Sequence, residues 1–244
     1  PKKKLGLTLN LVFYRQCIRF LKQLNPDIIF AASFPKLCRF LLRNRSQFFP
    51  RSKFVYEVHE LAELNPHHKR KELALENEIF PAFDLLFTTT QPLLQRLSKN
   101  GVRANLLPLA CAYHPHEFPA PPTAARSLRI GYFGSTYYEQ GVEWLVKHWP
   151  KEHELHIYGP GKFTGANVFC HSPMSMDELR RKVLPEIDAL VIPALPIGRM
   201  PYVAITKSYD YLAFQRPILA ADLPSITEVL RPNREALLFK SGEI

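Results

Sequence analysis

The sequence is sparing with cysteine, glycine and acidic residues, and it contains no long apolar run. Four cysteines, Cys17, Cys38, Cys111 and Cys170, are spread over 244 residues with no C-x-x-C pair. That spacing argues against a zinc site or a disulfide framework; it points to a reducing compartment with the thiols as small core residues. Ten glycines against 22 prolines exclude a collagen-like repeat, and the mixed composition excludes a coiled coil or a disordered tail. No window of about 18 apolar residues exists, so no transmembrane helix is expected and the chain reads as soluble or peripheral. No Ser/His/Asp or Cys/His nucleophile arrangement stands out either. The first residue is Pro1 rather than methionine, followed by Lys2-Lys3-Lys4, which reads as a fragment or an incomplete chain rather than a natural start.

What is present is an ordinary folded composition, 46% hydrophobic, 22% charged and 12% aromatic. The net charge of +10 is unevenly placed: residues 1 to 125 hold 18 Lys and Arg against 9 Asp and Glu, and residues 126 to 244 hold 14 against 13. The first half therefore carries +9 and the second +1. A one-sided positive field fits an anionic lipid surface, an anionic acceptor or nucleic acid, and equally a solvated basic face. Nucleic acid is the least favoured, because aromatic residues do not interleave with the basic clusters as a single-strand platform requires.

Apolar periodicity predicts strands and helices in alternation. Residues 7 to 24 read as an amphipathic helix with Leu11, Tyr14, Ile18 and Leu21 on one stripe and Arg15, Arg19 and Lys22 off it. Short apolar runs at 27–32, 53–58 and 84–89 predict strands, with helices at 35–42, 69–80 and 91–99. Asn100-Gly101 stops the last of these, since glycine accepts the left-handed conformation at a helix end. The stretch 113–127, with Pro115, Pro119, Pro121 and Pro122, reads as a linker. Beyond it, strands are expected at 128–133, 154–158, 167–170, 188–192 and 217–220, and helices at 141–149, 176–184 and 206–214. Repeated β-α-β connections imply parallel sheets with ligands at the carboxyl ends of the strands. The expected architecture is α/β: two Rossmann-like domains, 1–112 and 128–244, facing a cleft.

Candidate chemistry concentrates in the second half. Strand 128–133 runs into Gly134-Ser135-Thr136, and strand 154–158 into Gly159-Pro160-Gly161. Small residues there admit backbone N–H groups to a phosphate, or simply make turns. Lys207 and Asp210 stand three apart on a helix beginning near Thr206. They either hold the diphosphate and ribose of a nucleotide or form a surface ion pair, and spacing alone leaves the two readings even. His114-x-His116 with Glu117 lacks a distant fourth ligand for a metal. His67-His68 beside Lys69-Arg70-Lys71 suits a phosphate or a solvated helix start, and Asp177 and Glu178 after Ser175 read as helix capping.

The segment "ITKSYDYLAFQRPILAADLPSITEVL" followed by "EALLFKSGE" resembles the donor-binding region of retaining glycosyltransferases of family 4. The pattern there runs roughly P-x-K-x-x-E-Y-L-A-x-G-x-P-V-V-A-x-D-L-P-x-x-x-E-V-L. In order along the chain, "KFVYEVHELAE", "DLLFTTTQPLLQRLSKNGV", "IGYFGSTYYEQGVEWLV", "LHIYGPG" and "VFCHSPMSMDEL" also resemble family segments, so the likeness covers most of the sequence. It implies a glycosyltransferase B fold and transfer of a sugar, with retention, from a nucleotide diphosphate donor to a hydroxyl acceptor on a glycan or lipid-linked glycan. No cofactor and no metal are implied, and the setting is cytoplasmic or peripheral at the cytoplasmic face of the membrane.

Carried over by residue, the resemblance puts Asp210 on the donor ribose, Lys207 on the diphosphate, and His59 near the transferred sugar. Gly134 and Ser135 open the phosphate-side loop, Gly159 and Gly161 form the next, and Ser172 lies in the base-binding turn. Three positions depart from the pattern. Tyr202 stands where the first Glu of E-x7-E belongs, and Ser135 and Gln140 replace a basic pair. Losing cations opposite a leaving diphosphate removes about 2 to 4 kcal/mol per well-placed donor. Arg199, before Tyr202, either substitutes for them or is a solvent-exposed loop residue. These departures motivate the alternative of a glycosyltransferase-like subunit that binds a nucleotide or a partner without catalysis. The family's opening strand with its Gly-rich loop and its closing helices are not visible in the sequence, which fits either a truncated or a reduced, divergent member.

Overall fold

A computed structural model describes residues 2–32, 34–65, 70–109 and 127–242. Contacts divide the chain into two compact units, Pro1–Pro108 and Leu109–Ile244. The expected linker lies outside the described residues except for Ser127.

The first unit runs α1 (Lys2–Leu24), β1 (Ile28–Ala32), α2 (Pro35–Arg43), α3 (Arg45–Phe48), β2 (Lys53–Val58), α4 (Arg70–Ile79), β3 (Leu85–Thr88), α5 (Gln91–Lys99) and β4 (Asn105–Leu106). Its strands are parallel and lie in chain order, β1-β2-β3-β4. An aromatic core holds one face: the rings of Phe49, Phe54, Tyr56, Phe80 and Phe83 pack at centroid distances of 5.1 to 6.3 Å. Asp84 ties the β2 and β3 starts together, accepting the Phe54 N–H at 2.7 Å and pairing with Arg45 at 2.6 Å. That backbone bond, with Arg45 and Lys53 nearby, holds its carboxyl below the ordinary range. Helix α5 has clean ends. Thr90 caps its start by accepting the Leu93 N–H, and Gly101 closes it at φ +74°.

Helix α1 buries Ile18 and leaves Phe13, Phe20 and Leu24 exposed together with Arg15, Arg19 and Lys22. Among the described residues no helix is long and apolar enough to cross a membrane.

The second unit contains β5 (Arg129–Phe133), α6 (Val142–Lys147), β6 (Glu154–Tyr158), β7 (Val168–His171), α7 (Met176–Glu178), β8 (Ala189–Ile192), α8 (Thr206–Ala213), β9 (Ile218–Ala221), α9 (Pro224–Thr227) and β10 (Leu237–Phe239). The six parallel strands are ordered β10-β9-β8-β5-β6-β7. The winding starts in the middle, runs outward through β6 and β7, then returns to the other side of β5. This is the doubly wound order, with its reversal between β5 and β8. All four residues of β8 are buried, as a central strand covered on both faces requires.

The helix expected over 176–184 is interrupted. Ser175 and Glu178 form a reciprocal capping box, after which Leu179–Val183 opens into a wider π turn and Leu184–Glu186 tightens into a 3-10 turn around Pro185. The buried Arg216 guanidinium supports that irregular stretch, donating to the carbonyls of Leu184 (2.8 Å) and Ile187 (3.0 Å). Such bonds satisfy carbonyls at and beyond the end of the helical stretch, where no intrahelical partner is available.

Candidate nucleotide site

A cavity of about 490 Å³ opens in the second unit where β5 and β6 end and α8 begins. Its wall includes Gly134, Ser135, Gly159, Lys207 and Asp210, with Tyr158, Pro173, Met174, Met176 and Phe214 forming an apolar side. Its position beside the winding reversal and at the carboxyl ends of the strands is where open α/β sheets place ligands.

Two glycines let the loops come together. Gly134 has φ +122°, and a Cβ there would lie 2.9 Å from Lys207 Cε; a Cβ on Gly159 would lie 2.2 Å from the Gly134 carbonyl oxygen. The amides of both glycines are engaged in holding the loops, Gly134 N–H on Tyr158 O (3.0 Å) and Gly159 N–H on His171 O (3.3 Å). Each glycine allows close backbone approach while its own amide is bonded within the loops. Thr136 completes the junction by donating its hydroxyl to Pro160 O.

Helix α8 is fixed to β5 by Tyr211, which sequence reasoning passed over. Its buried hydroxyl accepts the Phe133 N–H at 2.9 Å, so the strand end and the helix cannot shift independently. The neighbouring Lys207 and Asp210 thereby take fixed places on the cavity wall. The Lys207 ammonium lies 2.7 Å from Gln140 Oε1 and 5.2 Å from the centroid of the Tyr132 ring. Burial pulls its pKa down to about 8, with Asp210 opposing the shift. A partly buried cation whose bonded partner is a neutral amide is chemically suited to an anion.

The other sequence-derived positions fall elsewhere. Arg199 does not line the cavity: it pairs with Glu139 at 3.4 Å and donates to Tyr137 Oη at 3.1 Å. Gly161, at φ +109°, and the exposed Ser172 also lie off the lining. His59 belongs to the first unit, follows β2, and has Nε2 3.5 Å from Glu57 Oε2. The segment after it is held by Glu76, whose carboxylate accepts the Ala62 N–H at 2.9 and 3.1 Å, and by Glu63, which receives Arg96 (2.7 Å) and Asn100 (2.8 Å). His67, His68, Lys69, Cys111, His114, His116 and Glu117 lie outside the described residues. Among the described residues no cluster of three metal-ligating side chains occurs.

No protein-family model and no curated protein matches the sequence. Solved structures do match. Sucrose-phosphate synthase from Thermosynechococcus elongatus superposes with a TM-score of 0.74 at 16% identity over 100% of this chain and 67% of that one. Anabaena Alr3699/HepE in complex with UDP-glucose gives 0.70 at 13% identity, covering 94% and 68%. The trehalose-6-phosphate synthase OtsA gives 0.63 at 15%, covering 94% and 65%. The chain has the glycosyltransferase B fold. It spans about two thirds of the length of these structures and 48% of another neighbour, TarM.

Proposed function

We propose that the protein is a retaining glycosyltransferase of the family 4 type that takes a sugar from a nucleotide diphosphate donor and passes it to a hydroxyl acceptor. The observation that carries this reading is the meeting of Lys207, Asp210 and the two glycine loops in one cavity at the winding reversal of the second unit. In this reading Asp210 accepts the ribose hydroxyls and Lys207 with the start of α8 faces the diphosphate, where negative charge grows as the sugar leaves. The leaving phosphate itself takes the acceptor's proton, so no protein nucleophile is required, and no metal enters the step. His59 serves the acceptor side. Solved neighbours that hold UDP and UDP-glucose make uridine nucleotides the first donors to test.

A thermal-shift panel of UDP, GDP, ADP and their sugars tests the reading, since a specific binder gains about 2.7 kcal/mol at 100 times its dissociation constant. Asp210→Ala is expected to weaken the responding nucleotide by roughly 1.5 to 3 kcal/mol. If no nucleotide moves the transition, the reading fails. Turnover with the responding sugar nucleotide then separates an enzyme from a binding subunit.

The acceptor side carries the chain's excess charge. On α1, exposed Phe13, Phe20 and Leu24 accompany exposed Arg15, Arg19 and Lys22, a combination suited to an anionic bilayer surface and hence to a lipid-linked acceptor. Flotation with anionic vesicles at low salt is expected, with release at high salt; equal behaviour toward neutral vesicles would remove the membrane from the proposal.

A further inference from the structure

The loop between β5 and α6 carries Ser135 and Gln140 where the family pattern has a basic pair, and each has a defined contact here. The Ser135 carbonyl receives the Tyr132 hydroxyl. Gln140 is buried, at 6% exposure, with Oε1 2.7 Å from Lys207 Nζ and 3.4 Å from Tyr132 Oη, and with its amide nitrogen 4.0 Å from Met200 Sδ. Gly141, which follows, is left-handed at φ +73°, and a Cβ there would lie 1.9 Å from the Pro193 carbonyl oxygen. The backbone carrying Gln140 therefore presses on the end of β8 and has one place to sit.

A cation at position 140 would repel the ammonium it now meets, and a carboxylate would hold that ammonium but cancel its charge. A neutral carbonyl oxygen holds it and leaves the charge in place. We propose that Gln140 is a positioning residue for the donor phosphate: it fixes the Lys207 ammonium beneath the Gly134 loop without neutralising it, so that one well-placed cation faces the phosphates. The proposal rests on the nucleotide reading of this cavity. The ionisable groups around the ammonium agree with it. Asp210 lies one turn along α8; Tyr132 and Tyr211 are phenols kept neutral by burial; and Glu139, beside Gln140, is paired with Arg199. Burial brings Lys207 to about 8, so its charge is lost within an accessible pH range and its environment can be read from a binding profile.

The test is calorimetric titration of UDP and of uridine into the wild-type chain, Gln140→Glu and Gln140→Leu, from about pH 7 to about pH 10. The wild-type affinity for UDP is expected to fall about tenfold per pH unit above about pH 8, where the ammonium deprotonates. In Gln140→Glu that fall should move up by about one pH unit, while affinity at pH 7 drops about tenfold, because the added carboxylate stabilises and neutralises the ammonium. In Gln140→Leu the fall should begin at lower pH. Uridine, which carries no phosphate, should bind all three chains alike, and this also reports that the pocket is intact. UDP profiles that coincide in all three chains overturn the proposal alone; a wild-type chain that binds neither UDP nor uridine overturns the nucleotide reading and the proposal with it.

Discussion

The first unit adds its four strands in one direction, β1 to β4, whereas the second starts in the middle of its sheet and winds both ways from β5. The same β-α-β repeat therefore yields different surfaces. Where winding reverses, loops leaving adjacent strands diverge to opposite faces and open a crevice, and there the second unit brings together its glycine loops, a lysine and an aspartate. No reversal occurs among the described strands of the first unit. A cavity of about 580 Å³ in that unit lies at the opposite strand ends, bordered by Asp84, Gly101, Arg103 and Asn105, which precede or open β3 and β4. Its distinctive properties are charge and exposed apolar surface instead: Ile28, Phe30 and Phe34 are 60, 51 and 67% exposed along and after β1. Among the described strands, the winding reversal thus accounts for where the second unit opens its crevice.

The second unit is most sensitive at Gly159. In Gly159→Ala the new methyl would meet backbone, the Gly134 carbonyl oxygen, at 2.2 Å, and neither loop can yield without moving α8 or β6. A loss of about 3 kcal/mol is expected, at the upper end of overpacking costs. Faster amide exchange should be confined to the second unit, and nucleotide response should disappear. Exchange that quickens equally in the first unit would mean that the two units do not respond separately. Tyr211→Phe is the next largest. Removing the hydroxyl leaves the Phe133 N–H buried without its partner, at a cost of about 1 to 2 kcal/mol. Denaturant unfolding measures this, and a neutral result would show that the strand end relaxes onto another acceptor.

The first unit has its own lever in Glu76. Burial raises its pKa to about 7, with Glu60 and Glu63 adding to the shift and the Ala62 N–H opposing it. The folded state therefore binds this proton more tightly than the unfolded state. Its contribution to stability is favourable toward acid and is lost as pH rises from about 4.5 through about 7. Glu76→Gln keeps an acceptor for Ala62 and removes the charge, so it should stabilise the first unit at pH 8 by on the order of 1 kcal/mol and change little at pH 5. Melting curves at the two pH values check this; an equal gain at both would mean that packing, not ionisation, is responsible.

Much of the architecture was legible because it rests on local signals. Apolar runs located β2 and β6 to the residue, and Asn100-Gly101 marked the end of α5. What the sequence hid is either short or non-local. β4 has two residues, neither of them buried, and offers no periodicity to read. The 3-10 turn that follows the π turn is held at Leu184 by Arg216, more than 30 residues away. At the site, the motif supplied Lys207 and Asp210, but the partner of the ammonium, Gln140, lies 67 residues earlier and was visible only as a missing cation. Arg199 carried a charge of the right sign, and nothing local announced that Glu139 would take it.

The smallest expected effect lies at Gln215, and it concerns backbone strain at an exposed residue next to the cavity wall. This exposed residue follows α8 at φ +53°, in the left-handed region, where the family pattern has glycine. The conformation is imposed from both sides. Its N–H closes the helix on Leu212 O at 3.2 Å, and the next residue, Arg216, is anchored through its guanidinium to Leu184 and Ile187 before Pro217 leads into β9. A side chain costs roughly 1 to 2 kcal/mol in this region, while glycine costs roughly 0.5 to 1 through the freedom it gives the unfolded chain. Gln215→Gly is therefore expected to stabilise the second unit by about 0.5 kcal/mol, and Gln215→Val, β-branched, to destabilise it by about 1 kcal/mol. Because Gln215 is exposed and is not itself part of the cavity wall, nucleotide affinity should stay unchanged in both variants. Denaturant midpoints and one binding isotherm per variant decide the matter: a Gly variant that is less stable, or that binds differently, would tie this turn to the crevice and blur the distinction between the strain that shapes the site and the strain that merely ends a helix.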